Sequence, residues 1–141
     1  MRFLSFSQPW LWSITDLPLP IAKRIENRTW QPPTTMIGQR FALHAAKSFD
    51  DDAISMFIRY GIDHPARRDL YVAGAIVGVA TIDRIVTEPR TLGDQARWFF
   101  GPYGWILTDV RKIEPLAFKG AQGLRELPLD VTSVIERSLA V

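Results

Sequence analysis

The run from Leu70 to Val86 limits the fold more than any other stretch of the chain. Within it Ala75, Val77, Val79 and Thr81 alternate with Ile76, Gly78, Ala80 and Ile82, so both faces of an extended segment are apolar or small. Side chains of a strand alternate with period two, and a strand that is apolar on both faces has to be covered on both. A central strand is the expectation. Gly74 and Gly78 predict a bulge, a strong bend or a backbone packed very close. Shorter strands are expected at Arg2–Ser7, from Ile25 towards Trp30, at Arg40–His44, Trp105–Ile113 and Leu124–Leu127. Pro9 can open a helix over Leu11–Ile14. A second helix over Asp51–Tyr60 would bury Ile54, Phe57 and Ile58, with Ser48 or Asp50 as its cap and Gly61 as its end. Asp130 is placed to cap a last helix over Val131–Leu139, and Pro115–Gly123 reads as a loop. Many short strands, bend-forming glycines and few helices predict a mixed α/β (α+β) fold: a small, curved β-barrel with flanking helices.

Residues 1–141 fit a single domain with a real core. The net charge is only +2, so a basic patch has to come from arrangement rather than excess. The pI of about 9.2 permits a nucleic-acid partner without demanding one. The chain has no cysteine. That excludes a disulfide-linked partner, thiolate metal ligands and cysteine nucleophiles, and it suits a reducing, cytoplasmic setting. No apolar run approaches a membrane span, and Phe3-Leu4-Ser5-Phe6 is too short for a signal-peptide core, so no membrane partner is expected. The triplet Asp50-Asp51-Asp52 reads as helix capping rather than a metal cluster, because consecutive side chains face different ways. No histidine pair or histidine–carboxylate spacing specifies a metal, so no cofactor is expected, with a divalent cation left open.

Chemistry concentrates in Lys23-Arg24-Ile25-Glu26-Asn27-Arg28-Thr29-Trp30. Lys23 and Glu26 are spaced to pair at i and i+3 if helical, while Glu26, Arg28 and Trp30 share one face if extended. The β-branched Ile25 and Thr29 favour the strand. The plainer alternative is a solvated, charged edge strand. The five tryptophans, Trp10, Trp12, Trp30, Trp98 and Trp105, stand beside polar or flexible residues; they serve either as core filling or as the walls of a pocket for flat rings. His44 ends a strand. It is either bonded to backbone or a general base, histidine being the side chain that titrates near neutral pH.

Taken in order, several pieces resemble the ASCH domain family of the PUA-like superfamily. They are Gln8-Pro9-Trp10; Lys23-x-x-Glu26-x-Arg28 followed by Thr29-Trp30; Gly38-x-x-Phe41-Ala42-Leu43-His44-Ala45-Ala46-Lys47; Gly74-Ala75-Ile76-Val77-Gly78; Trp98 through Trp105; and Pro115 with Lys119-Gly120 and Gly123-Leu124. Ile21 stands where the family's Gly-x-Lys-x-x-Glu-x-Arg signature has its glycine. The resemblance implies a PUA-like β-barrel whose cleft is lined by Lys23, Glu26 and Arg28, and RNA or a modified nucleoside as the partner. On that reading Lys23, Arg28, Lys47 and Lys119 meet phosphates, and Trp10, Trp30, Trp98, Tyr103 and Trp105 stack on bases. Gln8, Glu26 and Asn27 read a base edge, with His44 also in the site. The family also implies two hydrolase alternatives. One is an amidohydrolase acting on N-acetylated cytidine, with Lys23 and Glu26 as catalytic groups, although Glu26 replaces the hydroxyl residue that this branch carries. The other is a ribonuclease acting on single-stranded RNA.

Overall fold

Strand β4 (Ala75–Val86) runs through the middle of a six-stranded sheet, and every residue from Ala75 to Ala80 is buried. Its neighbours are β3 (Arg40–Phe49) and β5 (Tyr103–Ala117), both antiparallel to it. Strand β1 (Arg2–Gln8) lies parallel to β3, β2 (Ile25–Arg28) pairs with the far side of β5, and β6 (Arg125–Glu126) pairs with β1. The order is β2-β5-β4-β3-β1-β6 in this computed structural model, which describes residues 1–141.

The sheet curls into a small barrel-like fold without closing, since β2 and β1 share no ladder. A side chain spans the gap instead: Arg28 on β2 donates from Nη2 to the Ser5 carbonyl on β1 at 2.9 Å. We call this gap the seam. Slips in the β4–β5 ladder produce the curl. At one of them Asp109 adopts φ 48°, a left-handed conformation that aspartate tolerates better than most residues. At another, β5 passes so close to Gly78 that a Cβ there would lie 2.6 Å from the Arg111 carbonyl oxygen, so only glycine fits. Pro115 lies inside β5 and not in a loop. It falls between the paired positions Lys112 and Leu116, where the ladder slips and its missing N–H is not needed.

Three apolar clusters hold the sheet. Leu4, Phe6, Phe41, Leu43, Ile82, Trp105 and Leu107 fill the concave side, plugged by Leu11 and Ile14 of helix α1 (Trp10–Thr15). Phe3, Ala42, Ile76, Val79 and Ile113 form the outer face, covered by Ile135 of α3 (Leu129–Ala140). Ala22, Ile25 and Trp98 pack on Ala53 and Phe57 of α2 (Asp51–Arg59). Two sequence expectations change here. Ile58 is 68% exposed, because α2 buries the i, i+4 pair Ala53 and Phe57, and the next residue turns away by about 100°. Asp50 does cap α2, accepting from the Asp52 N–H at 3.0 Å. Asp130 does not cap α3; Pro128 holds that position and Asp130 sits in the first turn, where its charge favours the positive helix end. No helix is long and apolar enough to cross a membrane.

Candidate functional site

Strand β2 is short, and its pairing with β5 sets Ile25 against Ile106 and Arg28 against Tyr103. Ile25 is fully buried, so the alternation turns Glu26 and Arg28 the other way, over the seam. Lys23 precedes the strand and is fixed by its own N–H, which donates to the Ser13 carbonyl at 2.9 Å. From there its Nζ donates to the Ile25 carbonyl and lies 3.5 Å from Glu26 Oε1. Glu26 Oε2 accepts from Arg28 Nε at 2.8 Å, with Arg28 Nη2 also at 2.8 Å. Lys23 is 2% exposed and Glu26 8%. The solvated-edge alternative therefore fails: β2 is an edge strand, but Glu26 is buried and Arg28 partly so, each tied to the other. Burial pushes the Lys23 ammonium below the usual lysine range; Glu26 pulls in the opposite direction and the Arg28 charge adds to the lowering.

Two rings stand beside this network. Lys23 Nζ lies 5.7 Å from the Trp10 ring, whose indole N–H donates to Asp50 Oδ2 at 2.8 Å. Phe100 packs 5.4 Å from Trp10 and is half exposed. Together with Ser5, Ser7, Asn27 and the charged trio they line a cavity of about 250 Å³. Asn27 holds Phe100 in place. Its Oδ1 accepts from the Phe100 N–H at 2.7 Å and the Gly101 N–H at 3.1 Å, and its Nδ2 donates to the Trp98 carbonyl at 2.9 Å. Gln95 secures the chain entering β2, accepting from the Arg24 N–H and donating to the Ala22 carbonyl, each at 2.8 Å.

The remaining residues singled out in the sequence divide into three groups. Trp98 and Trp105 are fully buried in the core and present no face to a ligand, which corrects their assignment as stacking rings. Gln8 is corrected too. It is 5% exposed, its Nε2 donates to the Val72 carbonyl at 3.0 Å, and its Oε1 accepts from the Trp12 N–H at 2.8 Å, so neither end of the amide is free to read a base. Asn27 is likewise committed to the Trp98–Gly101 segment. Tyr103 is half-buried against the concave core and lies across the ladder from Arg28. Trp30 remains at the seam, edge-on to Trp105 at 5.0 Å, and lines a second cavity of about 580 Å³ with Ser5, Ser7, Arg28 and Gln122. His44 is buried, whereas Lys47 is exposed; both line a third cavity of about 710 Å³ with Ser5, Lys119, Gly120 and Gln122. Ser5 borders all three cavities, so they form one groove along the seam. Sequence reasoning missed Ser5, Phe100 and Gln122. Ser5 carries no local signal, because the partner of its hydroxyl, His44, is 39 residues away. No group of three or more histidine, aspartate or glutamate side chains gathers to hold a metal.

No family model and no curated protein matches the sequence. Solved structures do match by fold. The ASCH protein of Zymomonas mobilis superposes with a TM-score of 0.53 at 16% identity, covering 96% of this chain and 93% of that one. A single-residue variant of the same protein superposes with a TM-score of 0.56 at 17% identity, covering 96% of both chains. The chain has the ASCH fold. Identity this low reports the course of the ASCH backbone and leaves the side chains of the seam to be read in their own right.

Proposed function

We propose that this ASCH-fold chain binds single-stranded RNA or a modified nucleoside in the seam, with a base stacked on the exposed Phe100 ring beside Trp10 and phosphates running towards Lys47 and Lys119. The observation that carries the reading is the continuity of the groove: a ring-walled pocket at one end, unpaired lysines at the other, and Ser5 and Arg28 between. Aromatic faces accept any base, and clustered cations track a phosphate backbone. Lys23, Glu26 and Arg28 form the floor of the pocket and set its shape. The proposed binding needs no cofactor, because the chain supplies its own cations, and the absence of cysteine suits a cytoplasmic setting.

Fluorescence anisotropy with single-stranded RNA, and calorimetry with N-acetylcytidine, test this reading with and without Mg²⁺. Saturable binding that weakens in Phe100→Ala and with rising salt is the expected result; no binding to either ligand overturns it. Hydrolysis of RNA or of N-acetylated cytidine through Lys23 and Glu26 is the second reading. It is favoured by the burial that lowers the Lys23 pKa and so eases loss of its proton. Turnover that disappears in Lys23→Ala while binding persists would establish it.

A further inference from the structure

A second polar constellation lies at the lysine end of the groove, outside the Lys23–Glu26–Arg28 network. The parallel β1–β3 register sets Ser5 directly opposite His44. His44 Nε2 lies 2.7 Å from the Phe118 carbonyl oxygen. A carbonyl only accepts, so Nε2 carries the hydrogen and Nδ1 of the neutral ring is an acceptor. Ser5 Oγ stands 3.0 Å from that Nδ1, so its hydroxyl donates to it. His44 is 1% exposed behind the pair, while Ser5 lines the groove.

A histidine bonded on both sides is by itself a structural feature. Three further observations give this one a chemical setting. Gly120 lies directly on the pair: a Cβ there would stand 2.6 Å from His44 Cε1 and 2.9 Å from Ser5 Oγ. The backbone N–H groups of Lys119, Gly120 and Ala121 make no hydrogen bond within the chain and are free donors beside Ser5. Lys23 and Lys112 are ion-paired, whereas Lys47 and Lys119, which line the same cavity, are not.

We propose that Ser5 and His44 are a nucleophile and its base, held in register by the Phe118 carbonyl, that hydrolyse carboxylic esters carrying an anionic group. Ser5 Oγ attacks the ester carbon and passes its proton to His44 Nδ1, while the displaced electron pair goes to the carbonyl oxygen, facing the free N–H groups of the Lys119–Ala121 loop. Collapse breaks the bond to the alcohol oxygen, which leaves with the proton from Nδ1. Water then attacks the acyl-serine and gives its proton to Nδ1; collapse releases the carboxylic acid and the proton returns to Ser5. Lys47 and Lys119 pair with the anionic group of the ester. The Phe118 carbonyl orients the imidazole but carries no full charge to stabilise an imidazolium, so turnover is slower than with a carboxylate in that place.

The test uses the full chain. Incubation with a fluorophosphonate, followed by intact mass and peptide mapping, should give one adduct, on Ser5. The p-nitrophenyl ester of a dicarboxylic acid should be hydrolysed with saturation and faster than p-nitrophenyl acetate. Ester turnover should fall by about 100-fold or more in Ser5→Ala and in His44→Gln. Gly120→Ala should lose labelling, because its Cβ displaces the pair, and Ser5→Ala leaves the carbonyl that Arg28 uses in place, so it serves if another variant fails to fold. No adduct on the wild-type protein, an adduct elsewhere, or ester turnover unchanged in folded Ser5→Ala overturns the proposal. RNA binding by the wild-type protein is read separately, so failure of either reading is visible without the other.

Discussion

Lys23, Glu26 and Arg28 at one end of the groove differ from Lys47, Lys119 and the Lys119–Ala121 amides at the other in how far their polar atoms are already committed. The first trio sits on and just before a short strand and is tied by contacts of 2.8 to 3.5 Å to one another, with Arg28 reaching on to the Ser5 carbonyl. At the other end two lysines and a stretch of backbone amides have no partner in the chain. Satisfied buried charges fix geometry and have little left to offer a ligand, whereas unpaired groups bordering a cavity are free to act. Lys23, Glu26 and Arg28 are thus mutually satisfied, and the unpaired polar groups of the groove lie outside that trio.

Substitutions can break that contrast. The largest effect is expected for Glu26→Ala, which leaves the buried Lys23 and the partly buried Arg28 without a counter-charge; a loss of about 3–5 kcal/mol in urea unfolding is expected. Trp105→Ala should cost a similar amount, about 3–5 kcal/mol, by opening a cavity in the concave core. Phe100→Ala reports on the pocket instead: about 1–3 kcal/mol of binding should disappear if a base stacks there, with unfolding shifted far less.

Acidity sharpens the contrast further. The Lys23 pKa is lower in the folded chain than its ordinary value of 10.5, so between the two values the unfolded state holds the extra proton. Stability should therefore rise with pH as it climbs from the lowered value towards 10.5, and Lys23→Met should flatten that rise in urea midpoints. Tyr71, raised from 10.0 by burial, acts in the opposite sense, with stability falling as pH rises past that value. The smallest change in stability belongs to the open end. Lys47→Ala and Lys119→Ala should move unfolding by no more than about 0.5 kcal/mol. Each should also reduce the salt dependence of RNA binding by about 0.7 in log–log slope.

A bulge, a bend and a close approach all stayed open at Gly78, because the Arg111 carbonyl lies on another strand; periodicity made the central strand and the two faces of β3 legible, because each depends on neighbours a few residues apart. The Lys23–Glu26–Arg28 cluster was legible for the same reason. The parallel pairing of β1 with β3 was not, and with it went the meeting of Ser5 and His44, since no local pattern links positions 39 residues apart. Exposure was the other blind spot. Trp98 and Phe100 occupy one aromatic segment and differ by two residues, yet one is fully buried and the other half exposed. The bonds from Asn27 to the Phe100 and Gly101 amides help fix that turn, and nothing in the run Trp98-Phe99-Phe100 announces it.

A barrel closed by strand pairing has its bore set by strand number and stagger, quantities that no point mutation alters. Here the last span is a single guanidinium arm reaching from β2 to the carbonyl of Ser5. The width of the mouth is therefore gauged by the length and shape of one residue. A lysine at position 28 has no planar fork with which to hold Glu26 and the Ser5 carbonyl together, so one codon can re-size the aperture while every strand keeps its register.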